Sequence, residues 1–153
     1  HSLDRRQRQM CIRDSSQYID ELISEKKIEP KPYLDEDITF HDPCYLGRHN
    51  GEYDAPRKVL QSVLKEGSIT EMEQSKSDSF CCGAGGGNMW YEIKTGERIN
   101  KHRVNQAVDT EAKTIAAACN FCNIMLEDGV KTTGNEENIR VVDIAEMVSK
   151  GLE

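Results

Sequence analysis

Phe80-Cys81-Cys82-Gly83-Ala84-Gly85-Gly86-Gly87 packs two adjacent thiols and four glycines into eight residues. Such a run suits neither a helix nor a strand, because glycine loses more backbone freedom than any other residue when it is fixed in either. It suits a backbone wrapped closely around something. Cys44 lies upstream across a 36-residue gap, and Cys119 and Cys122 follow downstream as a Cys-x-x-Cys pair. Five cysteines at these spacings read as thiolates converging on one metal centre.

The pattern around the cysteines explains how distant residues can meet. Ser16 to Lys26 carries apolar residues at Tyr18, Ile19, Leu22 and Ile23, which is helical spacing. Ile38-Thr39-Phe40 reads as a strand stopped by Asp42-Pro43. Asp54-Ala55-Pro56 reads as a helix start with Asp54 as cap, the helix running through Leu64 and stopping near Gly67. Ser68 to Met72 reads as a second strand, and about Tyr91 to Thr110, with Ile93, Ile99, Val104 and Ala107, as a long helix. Thr114 to Ala118 is a third strand, followed by a helix to Asp128 with Asn120 as its expected cap. Arg140 to Asp143 is a fourth strand, and Ile144 to Lys150 a last helix.

Strands alternating with helices predict an α/β fold: a small parallel sheet of about four strands with flanking helices. Cys44 then falls just past the first strand, Cys81 and Cys82 past the second, and Cys119 and Cys122 past the third. All five sit on the carboxy-terminal rim of the sheet, where open α/β sheets bind ligands. A helix beginning after Cys119 also aims its positive end at the centre, which lowers thiol pKa.

Composition narrows the class. With 153 residues the chain is long enough for one domain with its own core. A formal net charge of −7 argues against a nucleic-acid partner. No apolar run approaches the roughly 20 residues of a membrane span. No secretory signal is visible, so the expected location is the cytoplasm, with membrane association only through an upstream part or partners. There, cysteines bind metal or do redox chemistry more often than they form disulfides.

The ligand count separates the metals. A closed zinc site takes four ligands, one fewer than the cysteines available. Iron–sulfur clusters take Cys thiolates, normally four per cubane, and a fifth can bridge two irons in an opened cluster. Gly83, Gly85, Gly86 and Gly87 would let backbone amides approach the cluster sulfides and donate to them. A phosphate cradle is the competing reading of the glycines, but no Lys-Ser/Thr follows them.

These residues resemble a known family. Cys44, Cys81-Cys82-Gly83 and Cys119-Asn120-Phe121-Cys122 match the spacing of the cysteine-rich CCG domain over about Ile38 to Leu152. That domain occurs in heterodisulfide reductase and in the iron–sulfur components of glycolate and lactate oxidation. It also occurs in oxidoreductases linked to electron-transfer flavoprotein. His41-Asp42-Pro43-Cys44-Tyr45-Leu46-Gly47-Arg48 is most similar to the flavoprotein-linked branch. The resemblance implies that Cys44, Cys81, Cys82, Cys119 and Cys122 ligate a 4Fe-4S cluster, cubane or non-cubane, with zinc as the alternative. It implies one domain of an iron–sulfur oxidoreductase, not active alone. Electrons would pass between an electron-transfer flavoprotein or dehydrogenase and a quinone or disulfide acceptor. Asn120 stands where the family often has Pro. A cluster that reduces a disulfide directly, and a non-redox zinc module, stay open beside electron transfer.

Around the cysteines, His41 is a candidate for passing protons or tuning potential, and Arg48 and His49 for facing negative charge. Trp90 and Tyr91 are expected to shield the site from water, and Arg98 and Arg103 to lie on the surface.

The amino terminus reads differently. Arg5-Arg6-Gln7-Arg8-Gln9-Met10-Cys11-Ile12-Arg13-Asp14 resembles one translated frame of a transposon-end adapter used to prepare sequencing libraries. Residues 1–15 are then an artefact, and Cys11 drops out as a ligand. The expected organisation is residues 16–37 as helix and linker and residues 38–153 as the CCG iron–sulfur domain. On this reading the chain is the carboxy-terminal piece of a longer protein, whose upstream part carries a second CCG domain and a ferredoxin-like domain.

Overall fold

The computed structural model describes residues 14–91 and 96–153. Most of the adapter-like segment, Cys11 included, and Ile93 lie outside the described residues.

Three strands form one parallel sheet in the order β1 (Ile38–His41), β2 (Thr114–Ala117), β3 (Arg140–Asp143). Ile38 pairs with Thr114 and Thr114 with Arg140, so the three strands start level and end level. Every residue of β1 and β2 is buried, as a sheet covered on both faces requires. The expected second strand, Ser68 to Met72, is reduced to a single parallel bridge between Ile69 and Ile38, so the sheet has three strands among the described residues. Ile38 donates to Ser68 and accepts from Thr70, and then the pairing ends as Glu71 turns to the Arg57 guanidinium.

Strand alternation splits the core in two. On one face Ile38, Phe40 and Ala116 pack with Val59, Leu60, Ile144, Met147 and Val148. These come from α2 (Asp54–Gln61) and α5 (Ile144–Gly151), and α1 (Ser15–Ser24) packs on the same two helices. On the other face Ile115 and Ala117 pack with Val104, Ala107, Leu126 and Val130, from α3 (Ile99–Val108) and α4 (Asn120–Thr132). The same alternation turns Thr39 and His41 away from the Phe40 face, toward α3 and α4. Gly129 lets those two helices close, since a Cβ there would meet Val104 Cγ2 at 2.7 Å and the Asn100 carbonyl oxygen at 3.0 Å.

Local chemistry shifted several helix ends. α2 is capped by Glu52, whose Oε1 accepts from the amides of Asp54 and Ala55, so Asp54 lies inside the first turn. It ends at Gln61, short of Leu64. α3 starts only at Ile99, because Gly96 takes φ +83° and Arg98 is extended. α4 is capped by Cys119, extended at φ −153°, ψ 124°, with Asn120 as its first helical residue, and it runs on to Thr132. Asp14 caps α1, accepting from Ser16 N at 2.6 Å.

Candidate metal centre

The strand ends deliver the cysteines to one place. Cys44 follows β1 by three residues and is exposed, while Cys119 and Cys122 open α4 directly after β2. Cys81 and Cys82 arrive from the segment beyond the Ile69 bridge, through a short 3₁₀ turn at Lys76–Asp78. All five described cysteines are free thiols. Cys44, Cys81, Cys82 and Cys122 line one recess together with His41, Pro43, Arg48 and Phe80. Cys119 joins them through its hydrogen bond with Cys122.

Cys82 is the hub. It is 5 % exposed and hydrogen-bonds with Cys81 on one side and Cys122 on the other. Those two thiols, opposed by burial and helped by His41 and the Ala84 amide, hold Cys82 far below the usual thiol range. Cys122 and Cys81 are pushed up, chiefly because each holds its proton in a bond to a neighbouring sulfur. Cys119 is held down to about 6 by the Cys122 thiol and, against burial, by the amides of Cys122 and Phe121. The opening turn of α4 thus serves Cys119 as the helix-start argument requires.

Gly83 packs directly into the cysteine cluster. Its amide donates to Cys81 Sγ at 3.3 Å. It takes φ +92°, and a Cβ would press on Ile99 Cβ at 3.2 Å, so the position suits glycine alone. Gly85, Gly86 and Gly87 have open space where a Cβ would stand, and Gly86 and Gly87 are left-handed at φ +66° and +78°. They lead the chain outward. Trp90 and Tyr91 end 81 % and 69 % exposed, so the expectation that they shield the site is corrected.

Arg103 is the larger correction. Far from the surface, it is 0 % exposed and reaches the centre through His41. Its Nε donates to His41 Nδ1 at 3.0 Å. Its Nη1 donates to the Gln74 carbonyl at 2.7 Å and Gln106 Oε1 at 2.8 Å, and its Nη2 to Ser79 Oγ at 3.3 Å. Burial pulls its pKa down to about 10, which leaves it charged at neutral pH. His41, 1 % exposed, is held neutral by burial, which outweighs the pull of the neighbouring Cys82. One donor atom each from His41, Cys82 and Cys122 lie within 4.8 Å of one another. Arg48 donates to the Ser79 carbonyl at 2.8 Å, whereas His49 sits on the exposed ring of Tyr45. Arg98 pairs with Asp128 at 3.2 Å. Nothing local in the sequence marks Arg103, since its helix neighbours Lys101 and His102 are basic residues too. A signal existed only jointly, in His41 at the strand end and the need of a neutral buried His for a donor.

The donor set has a clear chemistry. Free thiols meeting in a partly buried recess, with backbone N–H groups from Gly83, Ala84, Phe121 and Cys122 turned to the sulfurs, suit a soft, negatively charged, sulfur-rich centre.

Comparison with known proteins agrees with that chemistry. The CCG family, described as a cysteine-rich domain, matches residues 38–127. The chain is 43 % identical over 139 residues to the EtfAB:quinone oxidoreductase of Syntrophomonas wolfei, covering 86 % of this chain and 19 % of that protein. It is 42 % identical over 132 residues to FadF of Bacillus subtilis, named a probable iron-sulfur-binding oxidoreductase, again covering 86 % and 19 %. It is 38 % identical over 137 residues to one polypeptide of the dihydromethanophenazine:CoB–CoM heterodisulfide reductase of Methanosarcina barkeri, covering 90 % and 33 %. The chain thus spans about a fifth to a third of the length of these relatives.

Proposed function

The chain belongs to the CCG cysteine-rich family, and from that premise we propose that it is an iron–sulfur electron-transfer domain of a larger oxidoreductase. Cys44, Cys81, Cys82, Cys119 and Cys122 hold the cluster. The observation that carries the reading is the meeting of these thiols around Cys82, with protein N–H groups supporting the sulfurs. The Bacillus relative, named a probable iron-sulfur-binding oxidoreductase, supports iron over zinc. When bound, the cluster supplies a one-electron carrier. The chain's own residues ligate it, keep water from its inner side, and direct dipoles at its sulfurs.

The finer reading places an electron-transfer flavoprotein or dehydrogenase on one side and a quinone or disulfide acceptor on the other. The names of the Syntrophomonas and Methanosarcina relatives support those two acceptors. Remaining domains of the same polypeptide complete the path, as the relatives' length suggests. Among the described residues no helix is long and apolar enough to cross a membrane.

Anaerobic reconstitution with iron and sulfide tests the proposal. The expected result is bound iron with acid-labile sulfide and an EPR signal that changes on reduction. Stoichiometric zinc without sulfide would instead establish the zinc module, for which His41, Cys82 and Cys122 already offer three close donors.

A further inference from the structure

Arg103 makes four hydrogen bonds among the described residues, and all go to neutral acceptors: His41, the Gln74 carbonyl, Gln106 and Ser79. Gln106 is itself pinned, donating to Gln74 Oε1 at 2.6 Å, and Ser79 donates to the Asp42 carbonyl at 3.2 Å. The guanidinium therefore has one orientation. Burying a cation costs several kcal/mol unless a negative group compensates it. A neutral side chain would fill the same space at no such cost. The nearby anions are the carboxylates of Asp42 and Glu71 and the sulfur of Cys82.

The direction of the Arg103–His41 bond fixes more than position. A guanidinium only donates, so His41 Nδ1 must accept and carries no proton. The neutral ring then has its proton on Nε2, the nitrogen left to face the Cys82 sulfur. We propose that Arg103 is a positioning residue that locks His41 in the Nε2–H tautomer, so that His41 donates a hydrogen bond to Cys82 Sγ and raises the reduction potential of the centre. The inference rests on the iron–sulfur reading for its redox half. Its physical basis is that a donor to a ligand sulfur stabilises the more negative, reduced form more than the oxidised one. Outer partners of this kind also fix tautomers at metal-bound histidines, though here the partner of the ring is the sulfur.

The test has two arms. In the iron-free chain labelled with ¹⁵N-histidine, NMR should show His41 as a neutral Nε2–H tautomer, and Arg103→Lys should mix the tautomers. In reconstituted protein, His41→Leu should keep its iron and lose about tenfold in the reduction equilibrium against a mediator, about 59 mV for a one-electron couple. His41→Gln should restore most of that, because its amide can accept from Arg103 and donate to Cys82 at once. An Nδ1–H tautomer in the wild-type chain overturns the proposal, as does an unchanged potential in His41→Leu with iron retained. Stoichiometric loss of iron from both His41 variants overturns it too, since His41 would then be a ligand. Failure of the wild-type chain to take up iron and sulfide speaks against the electron-transfer reading alone, and the NMR arm still decides the tautomer.

Discussion

Arg57 grips Asp42 with both arms, Nη1 to Oδ1 at 2.8 Å and Nη2 to Oδ2 at 3.0 Å. Asp42 directly follows β1 and lies two residues before Cys44, so this pair ties the first ligand loop to α2. The carboxylate also accepts from the Lys76 amide at 2.8 Å, which ties in the approach to Cys81. Glu71 takes the outer side of the same guanidinium at 2.6 Å. Asp42→Ala leaves a largely buried Arg57 with Glu71 as its one anionic partner among the described residues, beside the Tyr53 carbonyl, and should cost about 3 kcal/mol. Urea unfolding checks this. Asp42→Asn should cost less, because it keeps an acceptor for Lys76. Equal stability of wild type and Asp42→Ala would mean that the grip is redundant.

Glu52 makes α2 sensitive to acid. Burial works to raise its pKa, but the amides of Ala55 and Asp54 and the Gln17 side chain prevail and hold it below the usual carboxylate value. A lowered folded-state pKa gives stability that is present above the unfolded value and is lost as pH falls through the folded one. Glu52→Ala should therefore cost about 1 kcal/mol at neutral pH. The difference from wild type should shrink as pH falls below the ordinary carboxylate value and through the lower folded one, where the carboxyl is protonated in both states. Unfolding measured at pH 7 and pH 3 tests the sign. A gap that widens in acid contradicts it.

The five cysteines should not be equivalent. Of the adjacent pair, Cys82 is the inner one, bonded to sulfurs on both sides, and it is the better placed to bridge two irons. Cys82→Ser should keep its iron as a four-thiolate cluster with altered EPR and potential. Cys44→Ser, Cys119→Ser and Cys122→Ser should lose iron. Iron analysis beside EPR across five serine variants decides this, and equal iron loss in all five rules out a bridging Cys82.

Residues 1–13 should be dispensable. A chain that starts at Asp14 should match the full one in unfolding midpoint and in iron content after reconstitution. Asp14 behaves differently, whatever its origin, because its carboxylate caps α1 through the Ser16 and Gln17 amides. Asp14→Ala should cost about 1 kcal/mol. Loss of iron in the trimmed chain would count against the adapter reading.

Much of this was legible in the chain itself. The alternation of Ile38, Phe40 and the run Thr114–Ala117 with amphipathic segments yields a parallel sheet, because only a covered sheet buries continuous apolar strands. Cysteines placed just after such strands must gather on one rim, since parallel strands all end on the same side. The ligand candidates therefore followed from spacing and topology together.

Other features were settled only by the tertiary structure. The expected second strand shrank to one bridge because extended propensity at Ser68–Met72 competes with the pull of Arg57 on Glu71, a contact between residues 14 apart. Trp90 and Tyr91 turned outward because the left-handed pair Gly86 and Gly87 redirects the chain, and glycine by itself announces freedom but not direction. Arg103 reads as a solvated helix residue until His41, 62 positions away, is placed against it. Sequence determines which groups are available and which face of a strand each takes, because those are short-range properties of the backbone. Which buried donor meets which acceptor is decided by packing between elements far apart in the chain, and at this centre that packing sets the proton on His41 and the surroundings of Cys82.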